Sequence, residues 1–110
     1  MANTFKRYTS RGVGTSATAV GSYTVGSGTQ TTLIGLTVAN VTNASITVDV
    51  QHSDGVNDTY IVKGAPVPSG GAMVVVGGDQ KVVLEAGDSV KVTSDTAASV
   101  DVVMSLLEIS

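Results

Sequence analysis

The chain has 110 residues and a mass of 11.0 kDa, enough for one domain, with no Cys, no Trp, one His and only 14% charged residues. Its net charge of −3 is uneven: Lys6, Arg7 and Arg11 precede Gly12, whereas all nine acids follow it, against only Lys63, Lys81 and Lys91. A net-acidic body argues against wrapping nucleic acid, which needs cations opposite phosphates, and the missing thiols exclude disulfides and cysteine chemistry.

Residues 1–14 read as an extended basic arm without apolar alternation, and residues 15–110 as the folded domain. Ala17–Val25 is the first expected strand, with Tyr23 and Val25 on one face. In Thr31–Asn40, Ile34, Leu36 and Val38 share one face and Leu33, Gly35, Thr37 and Ala39 the other, the pattern of a central strand. Ser45–His52 alternates most cleanly, with Ile46, Val48 and Val50 toward the core. The loop Ser53–Asp58 closes a hairpin onto Thr59–Lys63. Residues 65–68 (Ala-Pro-Val-Pro) read as a connection, because proline cannot donate to a ladder.

Ala72–Val76 is a short apolar strand, followed by a tight turn at Gly77-Gly78-Asp79 and strands at Lys81–Glu85 and Ser89–Thr93. The last strand, Ser99–Ile109, places Val100, Val102, Met104 and Leu106 inward. Its second face carries Val103, Leu107 and Ile109, more apolar surface than a wet face requires, so a partner chain is expected to cover it. Seven to eight short strands with frequent turns define an all-β fold: a single antiparallel β-sandwich of jelly-roll type with an extended N-terminal arm.

Four aromatic residues and thirteen glycines give such a domain little core for its size, so contact with neighbouring copies, a homo-oligomer, is expected. No apolar run approaches a membrane span, and residues 1–9 lack the apolar stretch of a signal peptide. Asn40, Asn43 and Asn57 match the glycosylation pattern but read as turn residues.

No motif carries catalysis, a cofactor or a metal. Residues 12–17 (Gly-Val-Gly-Thr-Ser-Ala) have the form of a dinucleotide fingerprint, but no buried strand precedes them and no helix follows, so a flexible hinge is the better reading. His52 lacks a spacing that would select a Ser or Asp partner and reads as structural. Asp54, Asn57 and Asp58 lack the spacing of a calcium loop. The arm is more suggestive: Phe5 and Tyr8 bracket Lys6 and Arg7, and with Arg11 they form a candidate subunit contact, rings in a groove and cations on acidic residues.

The chain also resembles a family of small virion structural proteins of tailed bacteriophages, notably marine and cyanobacterial ones. The resemblance rests on residues 5–8 (Phe-Lys-Arg-Tyr), the strand 34–40, the connection 60–68, the stretch 76–89 and the closing residues 105–109. It implies a non-enzymatic role in the virion, assembled in the host cytoplasm, and no catalytic residues. A decoration or cement subunit binding the major capsid protein is the leading expectation. A neck, collar or tail component, such as a fibre adaptor, is the alternative, and a carbohydrate-binding adhesin module is a further one that the scarcity of Trp and Tyr disfavours.

Overall fold

The computed structural model describes residues 3–77 and 81–110. Among these described residues nine strands follow in chain order: β1 (Asn3–Val13), β2 (Thr18–Ala19), β3 (Gln30–Asn40), β4 (Ile46–Ser53), β5 (Asp58–Val67), β6 (Ala72–Val76), β7 (Val82–Leu84), β8 (Ser89–Ser94) and β9 (Val100–Ile109). The first sheet runs β1-β9-β3-β6, with β7 beside β6 on the same edge of β3; the second runs β2-β8-β4-β5. All pairings are antiparallel, and this winding of two four-position sheets is a jelly roll.

The core lies between the sheets. Ile46, Val48 and Val50 of β4, Val90 and Val92 of β8, and Val100, Val102, Met104 and Leu106 of β9 are all buried, as alternation predicts. On β3 the expected faces are corrected. A register shift between Leu33 and Gly35 inserts Ile34 as an extra residue, so Leu33 joins Leu36 and Val38 in the core while Ile34 stays half-exposed.

Three further expectations change. The segment Ala17–Val25 is not one strand: β2 has two residues and gives way to a 3₁₀ turn, Val20–Ser22, in which Gly21 has φ 59°. A Cβ on Gly21 would sit 2.7 Å from the Tyr8 Cβ, so the chain needs glycine here both for the turn and for the close approach of β1. The connection at residues 65–68 is largely strand, because β5 lies at a sheet edge where Pro66 can pair with Thr47 without donating outward. Finally, residues 3–13 of the expected arm are β1, paired along their length with β9. The turn expected at Gly77-Gly78-Asp79 falls partly on Gly78 and Asp79, outside the described residues.

Among the described residues every buried side-chain polar atom has a hydrogen-bond partner. The Asn40 amide donates to the carbonyls of Ala44 (2.7 Å) and Val67 (3.0 Å), and its oxygen accepts from the Thr42 N–H (2.8 Å) and hydroxyl (2.7 Å). One side chain thereby ties the end of β3 to the β3–β4 turn and to β5.

Candidate interaction surface

The alternation of β1 sorts the predicted arm residues into two sets. Tyr8 turns inward and stacks on Tyr23, ring centroids 4.4 Å apart. Lys6 pairs with Glu108 of β9 at 3.0 Å, and the Tyr23 hydroxyl donates to the same carboxylate at 2.7 Å while lying 2.9 Å from the Thr31 hydroxyl. The Tyr23 and Lys6 hydrogen bonds hold the Glu108 carboxyl below the usual carboxylate value, and desolvation pushes the Tyr23 phenol up to about 12. Lys6 and Tyr8 thus fasten β1 to its own domain, and a free strap is not what the structure shows.

Phe5, Arg7 and Thr9 have the opposite parity and lie on the outer face of the first sheet; Arg11, exposed, sits where the bulge begins. Two apolar rows cross that face. In one, Phe5 lies beside Leu107 on β9, which neighbours Thr32 on β3 and then Val83 on β7; in the other, Thr9 is followed by Val103, Thr37 and Val74. Between them run Arg7, Ser105 and Gly35. Phe5, Val74, Val83 and Val103 are 76%, 67%, 64% and 52% exposed. Ile109 ends the face, half-buried beside a shallow depression of about 420 Å³ shared with Gly28, Thr29 and Glu85.

The structure therefore joins the two predicted contact groups, the outward arm residues and Val103, Leu107 and Ile109, on one sheet face. Val74 and Val83 complete it. Val74 could have been suspected, because a strand as apolar as Ala72–Val76 at a sheet edge must turn some valines outward.

The outer face of the second sheet differs. It presents Thr47, Asp49 and Gln51 of β4, Lys91 and Thr93 of β8 and Tyr60 of β5. Asp49 accepts the Gly64 N–H at 2.7 Å, and Lys91 stands 3.7 Å from Asp58. Such a face is satisfied by water.

The remaining polar candidates serve local structure. His52 Nε2 lies 3.1 Å from Asp88 Oδ2, which also accepts the Glu85 N–H at 2.9 Å and so closes the β7–β8 turn. Asp54 accepts the N–H groups of Val56 and Asn57, which hold its carboxyl below the usual value. Among the described residues no cluster of His, Asp and Glu is arranged to hold a metal ion, and no helix is long and apolar enough to cross a membrane. Of the residues expected to form a hinge, Gly12 and Val13 end β1 at its bulge, where Gly12, at φ 63°, donates to Asp101 at 3.0 Å, and 14–17 connect to β2, with the Gly14 carbonyl accepting from Ser94 at 2.8 Å.

No family model matches the chain, and no curated protein is similar to it in sequence. Among solved structures, the chain is similar in fold to a subunit of Bacillus endospore appendages, described as a novel family of disulfide-linked pili. The TM-score is 0.57 at 14% identity, covering 99% of this chain and 87% of that one. A pentameric capsid protein from metagenomic phage sequences aligns with a TM-score of 0.39 at 15% identity, over 94% of this chain and 59% of that one.

Proposed function

We propose that this chain is a non-enzymatic structural subunit of a bacteriophage particle, bound as a decoration or cement protein to a shell of major capsid protein. The observation that supports it is the contrast between the two outer faces, one wet and one carrying four exposed large apolar side chains. Fully burying one such side chain contributes roughly 1.5–3 kcal/mol. Four together offset much of the rotational and translational cost of association, about 4–15 kcal/mol. Repetition over a shell then multiplies individually weak contacts. The phage assignment draws on the sequence resemblance.

A neck or tail role is the second reading, supported by the fold likeness to a pilus subunit. Disulfide linkage of the kind named for those pili is closed to this chain, which has no cysteine. Quantitative mass spectrometry of purified virions separates the readings. A decoration subunit is present at a copy number comparable to the major capsid protein, whereas a copy number in the range of a single ring supports the neck or tail. Absence from virions contradicts both.

A further inference from the structure

Resting on that docking reading, we propose that the partner supplies an extended, acid-bearing segment that adds to the free edge of β1 as a further strand of the first sheet. The four sheet edges are unequal. β2 has two residues; β5 carries Pro66 and repeated register shifts; the far edge of the first sheet is divided between β6 and the three-residue β7. β1 is the longest edge strand, eleven residues, has no proline, and pairs regularly from Asn3 to Ser10, its one register shift falling between Ser10 and Val13. Among the described residues its backbone pairs with β9 and with the adjoining Ser99 only. An edge of that length is a template for another chain.

Charge identifies the occupant. Lys6 is already engaged by Glu108, but among the described residues Arg7 and Arg11 form no ion pair. Arg7 has the outward parity of Phe5 and Thr9, on the face that the two apolar rows cross, and the exposed Arg11 follows Ser10 at the start of the bulge that ends β1. A second copy of β1 paired edge to edge would bring like guanidiniums together, which disfavours self-pairing. An incoming antiparallel strand with carboxylates four residues apart on one face meets both guanidiniums, which extended geometry separates by about 13 Å. Apolar residues between and beyond those acids lie beside Thr9 and Phe5, and so extend the rows that continue through Val103 and Leu107.

The test uses the whole chain and a labelled Thr/Val strand peptide with two glutamates spaced four apart, compared with the same peptide carrying lysines there. The glutamate peptide is expected to bind about tenfold more tightly at low salt, to protect β1 amides from hydrogen exchange, and to lose its advantage with Arg7→Glu/Arg11→Glu. The lysine peptide should recover binding to that variant, which distinguishes charge matching from a damaged fold. Equal affinity for both peptides, protection on β5 or β6 in place of β1, or concentration-dependent self-protection of β1 by a second copy overturns the proposal. Co-sedimentation with phage heads lacking this subunit keeps the two readings apart. If the charge-reversed variant binds heads like the wild type, docking stands and the strand-addition proposal fails. If the wild type ignores heads while the peptide result holds, the shell reading fails alone.

Discussion

Tyr23 connects three elements through one phenol. Its ring supports Tyr8 of β1, and its hydroxyl reaches Glu108 of β9 and lies beside Thr31 of β3. Tyr23→Phe keeps the ring contact and removes the hydroxyl, so it should cost about 1–2 kcal/mol in urea denaturation. The phenol also makes stability depend on alkaline pH. Unfolded, it ionises at its ordinary value of 10.0; folded, it holds its proton to about 12. The stabilisation is therefore complete below pH 10.0 and lost as pH rises toward about 12, and Tyr23→Phe should flatten that loss. Glu108 acts at the other end. Its lowered folded value gives stabilisation that is present above the ordinary carboxyl range and disappears as pH falls through the folded value, a loss that Glu108→Gln should reduce in acid titrations followed by circular dichroism.

At the scale of elements, Gly21 decides how closely β1 lies against the domain. Gly21→Ala combines a disfavoured positive φ with a Cβ at 2.7 Å from Tyr8, and should cost about 1–3 kcal/mol while speeding hydrogen exchange of β1 amides ahead of those in β9. In the core, Leu36→Ala should cost about 2–5 kcal/mol by thermal or urea unfolding. Legibility of these elements in the sequence follows their burial. β4, β8 and the inner face of β9 each pack one side of a regular ladder on the core, so strict alternation betrays them. β3 could not be assigned its faces correctly, because both parities are apolar or small and the extra residue at Ile34 leaves no chemical mark. β1 looked irregular because an edge strand buries little: only Tyr8 and Val13 pack inward, and its other positions are polar or exposed. The apolar second face of β9 was visible in Val103, Leu107 and Ile109. Its alignment with Phe5, Val74 and Val83 was not, since cross-strand register arises only on folding.

For the whole molecule, the two sheets divide the work. Their inner faces make the core, the outer face of the second sheet is polar, and the outer face of the first carries Phe5, Val74, Val83 and Val103 exposed, the side chains that the proposed docking would cover. Replacing its side chains should therefore separate stability from assembly. Phe5→Ser combined with Val83→Thr should change unfolding free energy by less than about 1 kcal/mol, because exposed side chains contribute little to the isolated fold. The same variant should be depleted from purified particles when supplied in place of the wild type.

The most direct test is hydroxyl-radical footprinting of the protein free and on intact particles. Protection of Phe5, Val74, Val83 and Val103 on the particle, with Tyr60 on the opposite face still reactive, is the predicted result. Protection of Tyr60 with continued oxidation of Phe5 and Val103 would contradict it, as would an identical footprint in both states.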